Sequence, residues 1–471
     1  MRARRGPGIL RGMTSALRSY TLLSAVLLPL AACEALHSAS SPSDARSGAN
    51  ELVAAQPAAA SPLGSAIDAR LKSTEGKLIE WRRHLHQHPE LSNHEVETAK
   101  FVAERLREMG LSPRTGVAKN GIVCVIQGAK PGPVVALRAD MDALPVKEEV
   151  DVPFKSTATS TYDGKSVGVM HACGHDAHTA MLLSAADALA SVKNELAGTV
   201  VLLFQPAEEG VPIAEYPAGA ELMVKEGALL NPKVDAVFGL HVFAGQPAGL
   251  VGWCKGPMLA AADKFEIVVA GHQTHGSKPW AGIDPIVIGS EIVNALQTIV
   301  SRETDLTKEP AVVTVGVFDS GVRNNIIPDK ARLVGTIRTF DEDQRKDIHA
   351  KLTRIAQSIA AAHGTHADVH IEIGYPVTSN DPALVARMQP TLERVAPGRV
   401  KEVRKITGAE DFSFFARTVP GMFVFLGITP PKDVETADSN HSPRFYVDES
   451  ALPTGARVMA HLAADYLANG T

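Results

Sequence analysis

Apolar residues fall into two contrasting patterns along this chain. Three runs, Pro133-Val-Val-Ala-Leu-Arg138, Thr199-Val-Val-Leu-Leu-Phe-Gln205 and Asp235-Ala-Val-Phe-Gly-Leu240, are short, rich in Val and Leu, and do not alternate with polar residues. Each reads as a strand buried on both faces, as in a parallel sheet covered by helices. Each also ends on chemistry: the first leads into Asp140 and Asp142, the second into Glu208 and Glu209, and the third into His241. Ligands in such sheets bind outside the carboxyl ends of the strands. The three runs therefore predict carboxylates and an imidazole gathered on one sheet edge. The stretch Ala177–Ala190 has helical composition, with Met181, Leu182 and Leu189 available for a buried face.

From about Leu259 the pattern changes. Lys264–Ala270 half alternates, a helix-like run extends from Asp284 to Ser301, and strand-like runs follow at Ala311–Val317, Ala331–Arg338 and Val369–Ile373. Strand, helix, strand, strand, helix, strand is the ferredoxin-like order. The predicted fold class is α/β: a three-layer domain with a mainly parallel central sheet, plus an inserted ferredoxin-like α+β domain. The predicted boundaries are 68–258 and 374–471 for the two parts of the three-layer domain, with the insert at 259–373.

The amino end has its own pattern. Five arginines between Arg2 and Arg18 precede an apolar run from Tyr20 to Leu30, which closes on Leu30-Ala-Ala-Cys33. A basic region, a short apolar region and small residues make a secretory signal, too short to be a good membrane span. Its end resembles a bacterial lipobox, which implies cleavage before Cys33 and lipidation of that residue; the plainer alternative is an ordinary signal cut nearby. The reading is a signal peptide at 1–32 and a flexible tether at 33–67, rich in Ala, Ser and Pro. The chain is then expected to be an exported lipoprotein facing the periplasm, touching the membrane only through the lipid on Cys33. Met13 would serve as a start as well as Met1.

Composition bounds this picture without changing it. A chain of 471 residues with 45% hydrophobic content is long enough for two domains and a sizeable core. A net charge of -5 and the lack of aromatic-basic interleaving point away from nucleic acid. Cys124 and Cys254 are expected to be reduced or buried. There is no internal repeat and no phosphate-cradling glycine loop.

The sharpest candidate chemistry is Cys173 and His175, a soft thiolate and an imidazole two positions apart, which are good metal ligands. They sit at the amino end of the Ala177–Ala190 helix, where dipole and free amides favour a thiolate. His171 and His178 read more simply as capping or core residues. Glu208 and Glu209 would point opposite ways on a regular strand. A turn must bring both into one site, as Gly210 permits. Asp140 and Asp142 also admit a plainer reading as a strand-end turn. His84, His86 and His88 alternate before Pro89, but a helix sends such positions to different faces, so they do not read as one ligand set. A Cys173 nucleophile partnered by His175 is a competing mechanism. Against it, nearby carboxylates would raise the thiol pKa in the absence of metal.

The runs LRADMDALP, MHACGHDAH, FQPAEEG, GLHV, GAEDFSFF and NHSPRF together resemble the M20 metallopeptidases. Within them the likeness is to the N-acyl-amino-acid amidohydrolases, the subfamily of hippurate hydrolase and the plant indole-acetyl-amino-acid hydrolases. It covers almost everything after about residue 68. The resemblance implies Cys173, His175, Glu209, His241 and His441 as ligands of two divalent metal ions, of Zn, Mn, Co or Ni type. It implies Glu208 as general base, with Asp142 supporting the site and the metal contact of Asp140 left open. In the insert it points to His275, reaching the scissile carbonyl often from the partner subunit of a dimer, and to Asn325 and Arg338 around the substrate carboxylate. The family's usual Pro-His after that histidine is Pro279-Trp280 here, a departure that favours aromatic or bulky groups in the acyl pocket.

The chemistry asks for these groups. Two metal ions about 3.5–4 Å apart share and acidify a water and polarise an amide carbonyl, while Glu208 moves the proton to the leaving amine. The expected reaction is hydrolysis of an N-acyl amino acid to a carboxylic acid and a free amino acid, by a homodimer joined through the insert. The alternatives are an exopeptidase acting on small peptides, a silent binding lipoprotein, against which the intact Glu208 argues, and a metal-free thiol enzyme.

Overall fold

The computed structural model describes residues 60–212 and 215–469. The predicted signal peptide, Cys33 and most of the tether lie outside the described residues. Helical structure is already present before residue 68, inside the stretch read as tether. A helix runs over Gly64–Ser73, Ile67 is buried in the core, and the Ser61 amide donates to Asp465 at 2.7 Å. The physical reason is the spacing of Leu63, Ile67 and Leu71, which gives one apolar face four residues apart along a helix.

The central sheet has eight strands. Its core is four parallel neighbours in the spatial order Ala197–Gln205, Lys130–Asp140, Ala236–Pro247 and Gly421–Thr429. Antiparallel pairing appears toward both edges, where Gly121–Gln127 joins Ala197–Gln205 and Val251–Trp253 joins Gly421–Thr429. The sheet is therefore mixed around a parallel centre. Alternate residues feed two separate cores, which is why the strands read as unbroken apolar runs. Leu137, Leu202 and Leu240 face helices including Leu452–Ala468, while Ala136, Leu203 and Val237 face Phe412 and Phe415. This is the three-layer arrangement.

The helix His175–Ser191 is buried from His175 to Leu189, not along one face. It packs among the helices Gly64–Ser73, Glu75–Gln87 and Leu452–Ala468 as well as against the sheet. Its many alanines suit such close packing on all sides.

The second sheet is four antiparallel strands in the order Ala311–Ser320, Lys330–Thr339, Ala261–Ala270, Ala367–Glu372. Helices Pro285–Arg302 and Glu342–Ala362 cover one face through residues such as Ile288, Ile292, Leu296 and Leu352. This is the ferredoxin-like topology. Among the described residues no helix is long and apolar enough to cross a membrane.

Candidate metal centre

The parallel strands all point the same way, so their carboxyl ends deliver side chains to one edge. Asp140 closes its strand and Asp142 follows it; Glu208 and Glu209 lie just beyond Gln205. His241 is not at a strand end, because its strand continues to Pro247. Pairing with the Lys130–Asp140 strand stops at Arg138 and Gly239, so His241 stands past the last paired position. Gly174, at φ +88°, starts the helix between Cys173 and His175, and a Cβ there would meet Val242 Cγ2 at 2.3 Å. Only glycine fits both demands.

Two left-handed residues make the turn that the adjacent glutamates require. Ala207 has φ +54° and Gly210 φ +86°. Asp142 holds the turn from below, accepting the Glu208 amide on Oδ1 at 3.1 Å and the Glu209 amide on Oδ2 at 3.0 Å. The same carboxylate takes the Ser92 hydroxyl at 2.7 Å and faces His175 Nδ1 at 3.2 Å. His175 Nε2 is thereby turned toward Glu208 and Glu209, whose nearest oxygens lie at 3.9 and 3.8 Å.

Cys173 is the hub. Its Sγ lies 3.4 Å from His241 Nε2 and 3.2 Å from His441 Nε2. The His241 ring is set by Nδ1 donating to the Val242 carbonyl at 2.6 Å. His441 is held at φ +72° by its own amide on Ala172 O at 2.7 Å. Asn440 beside it ties the loop to the site, accepting the Ala244 amide and donating to Val242 O. Ligand atoms of Cys173, His175 and His241 lie within 4.8 Å of one another, as do those of Cys173, Glu209 and His441. His175 Nε2 and Glu209 Oε1 are buried with no aligned hydrogen-bond partner. Buried polar atoms without an aligned partner, converging on a thiol, are what a pair of divalent cations would satisfy, even though His441 Nε2 lies 3.3 Å from Glu209 Oε1.

The electrostatics agree. Burial and the Glu209, Glu208 and Asp140 carboxylates push the Cys173 thiol well above its usual range. The helix-terminus advantage expected from sequence is thus outweighed while no cation is counted. Burial and the neighbouring Glu410 and Glu209 likewise raise Glu208. His175 is opposed by burial, yet Asp140, Asp142 and Glu209 lift it to about 10. His241 is kept neutral by burial and by His178 beside it. An excess of buried negative charge is stabilised by bound cations.

Asp140 is fully engaged elsewhere: Oδ2 accepts from Arg138 at 2.7 Å and Oδ1 from His178 Nδ1 at 2.6 Å. His178 is a core residue, with Nε2 accepting the Val242 amide at 2.8 Å. His84 stacks on Phe101 while His86 is buried between Asp176 and Glu148, so the alternating histidines do separate. Cys124 and Cys254 are buried and unbridged.

Sequence reasoning missed the support beneath Glu208. Arg138 is wholly buried and binds Gln205, Asp140, Glu410 and Asp411 at 2.7–2.9 Å. The GAEDFSFF run carries two of these partners, which was the available signal.

Beside the ligands opens a cavity of about 660 Å³. Cys173, Glu208 and His441 line one side, and Phe243, Leu259, Ile406 and Phe425 give it an apolar wall. Arg338 lines it too, half-buried, its guanidinium making no hydrogen bond or ion pair with the described residues and feeling only the field of Asp263. His275 and Asn325 do not line it. They sit together on the ferredoxin-like unit, where Gly276 N donates to Asn325 O at 2.8 Å and the exposed His275 accepts from Ser277.

Residues 136–465 match the description of peptidase family M20/M25/M40. The chain is 42% identical over 398 residues to thermostable carboxypeptidase 2 of Saccharolobus solfataricus, covering 84% of this chain and 97% of that protein. It is 38% identical over 382 residues to the N-acetyl-L-cysteine deacetylase of Bacillus subtilis, covering 81% and 86% respectively. A solved Bacillus subtilis structure, described as a dinuclear metal binding peptidase from the M20 family, superposes with a TM-score of 0.69. It has 35% sequence identity and covers 83% of this chain and 98% of its own.

Proposed function

Since the chain belongs to peptidase family M20/M25/M40 and is a metal-dependent amidohydrolase, we propose that it cuts the amide bond of N-acyl amino acids, releasing a carboxylic acid and a free amino acid. The observation that carries this substrate class is Arg338. An unpaired guanidinium half-buried in the cavity suits the free carboxylate of an amino acid, and the apolar part of the lining suits an acyl group.

The cofactor is a pair of divalent metal ions, and the residues present fit them. Cys173, His175, Glu209, His241 and His441 would hold them, with Asp142 fixing the His175 ring and Asp140 behind. Bound there, the ions would lower the pKa of a shared water and polarise the amide carbonyl. Glu208 takes one proton from the attacking water, whose oxygen bonds to the carbonyl carbon. As the C–N bond breaks, Glu208 returns that proton to the amine nitrogen. A thiolate with imidazole and carboxylate donors suits Zn, Mn, Co or Ni.

The test is a comparison of kcat/KM on acetyl, benzoyl and indole-acetyl amino acids, their carboxamides, and dipeptides. Preference for free-carboxylate N-acyl amino acids supports the proposal, and equal cleavage of the carboxamides contradicts it. Faster cleavage of dipeptides would support an exopeptidase, the reading favoured by the likeness to a carboxypeptidase.

A homodimer is part of this proposal. His275 and Asn325 do not reach the cavity of their own chain, and the edge strand Ala311–Ser320 exposes Val317 and Phe318 near the exposed Val322. Mixed His275→Ala and Glu208→Ala chains should regain activity, and failure to complement counts against a shared site. Export and anchoring through Cys33 rest on the Leu-Ala-Ala-Cys33 sequence. Cys33→Ser should abolish lipid labelling and membrane retention in a bacterial host.

A further inference from the structure

The chain passes between the two sheets twice, and the two passages form one ribbon. On one side Gly256–Leu259 pairs with Thr378–Asn380; on the other Ala261–Ala270 pairs with Ala367–Glu372. Between them Ala262 N donates to Tyr375 O at 3.0 Å, and Gly374 packs so closely that a Cβ would lie 2.3 Å from Ala262 O. A buried clamp belonging to the ferredoxin-like unit grips this point. Asp263 accepts from Arg345 in a two-point bond, from His349 Nε2 at 2.7 Å and from the Gly374 amide at 3.0 Å. Arg345 also donates to Gly374 O at 3.2 Å.

Tyr375 stands in the middle of the ribbon, and its hydroxyl donates to the backbone carbonyl of Glu208 at 2.7 Å. The Glu208 amide is already committed to Asp142. Both backbone polar groups of this residue are thus tied, one to the sheet edge and one to the ribbon, across a turn whose Ala207 is left-handed. Such a non-glycine conformation persists only where its surroundings hold it. We propose that Tyr375 is a positioning residue that transmits the seating of the ferredoxin-like unit to the turn carrying Glu208. The inference rests on the reading of Glu208 as general base.

Tyr375→Phe keeps the ring in the cavity wall and its edge contact with Phe414 at 6.2 Å, and removes only the hydroxyl. The expected result is a fall in kcat of about fivefold to tenfold, with KM within about twofold and metal content unchanged. Unchanged kcat per metal-loaded chain, or a rise in KM alone, overturns the proposal. The transmission is read from Asp263→Asn made in both backgrounds. It should lower kcat about threefold in the parent and have no further effect on Tyr375→Phe; equal fold-losses in both overturn it. If Asp263→Asn does not fold, Arg345→Lys takes its place in the cycle. Glu208→Gln measured alongside separates the two readings. If it keeps activity, the base assignment fails; if it is inactive while Tyr375→Phe is normal, only the present inference fails.

Discussion

Asp142→Asn perturbs the site at its most connected point while changing almost no volume. Four donors converge on the two oxygens of Asp142: His175 Nδ1 and the Glu208 amide on Oδ1, the Ser92 hydroxyl and the Glu209 amide on Oδ2. Burial alone would raise this carboxyl, yet His175, Ser92 and the Glu209 amide hold it below the ordinary range, so it is ionised. An asparagine side chain offers one oxygen. With the amide NH₂ on the Oδ2 side, the Ser92 hydroxyl can turn to accept from it and only the Glu209 amide loses its acceptor; with the NH₂ on the Oδ1 side, both the Glu208 amide and His175 lose theirs. One to two lost bonds at about 1–3 kcal/mol each amount to roughly 1–6 kcal/mol in the metal-free protein, less whatever the turn relaxes. His175 also loses the carboxylate that orients it, a change that typically lowers metal affinity by about 10–100-fold. Competition with a chromophoric chelator measures the affinity, and urea unfolding of the chelated protein measures the stability. Ser92→Ala is the control, since it removes one donor and leaves the charge. Metal affinity within about threefold of the parent for Asp142→Asn would refute the reasoning.

Metal affinity should rise with pH. Both Cys173, pushed up by burial and its carboxylates, and His175, at about 10, hold protons at neutral pH in the metal-free site and must release them to ligate. Each displaced proton gives up to about tenfold in affinity per pH unit, and a flat profile between pH 6 and 8 in the same chelator competition would contradict the charge assignment. Arg138→Met leaves Asp140, Glu410 and Asp411 without their buried counter-charge, and urea unfolding at pH 7 should show a loss of about 3–5 kcal/mol. Arg338→Met should raise KM for N-acyl amino acids by about tenfold to a hundredfold in steady-state assays, and leave their carboxamides nearly unaffected.

The elements that carry the ligands were legible because burial on both faces imposes an unbroken apolar run, and such runs end where the chemistry begins. Leu137, Leu202 and Leu240 show this directly, each within a few residues of a site side chain. The antiparallel edges of the sheet were not legible, since strand direction depends on connections that an apolar run does not encode. Nor was the all-round burial of the helix His175–Ser191, where alanine serves a crowded core as readily as a solvent face. The Arg138 network joins residues 272 positions apart, and no local pattern announces such a contact. The need for a turn at Glu208 and Glu209 followed from strand geometry, but Ala207 as its left-handed residue did not, because alanine carries no preference for that conformation. His275 and Asn325 show the opposite limit: their motif positions were readable, and the single chain does not bring them to the cavity.

The most direct measurement is hydrolysis of N-acyl amino acids by the full chain before and after chelation, with Zn or Mn restored, beside Glu208→Gln under the same conditions. The account predicts activity abolished by chelator and recovered with metal, and Glu208→Gln inactive although it binds metal normally. Activity that survives chelation and is lost to thiol alkylation, or a Glu208→Gln chain that hydrolyses at the parent rate, would contradict it.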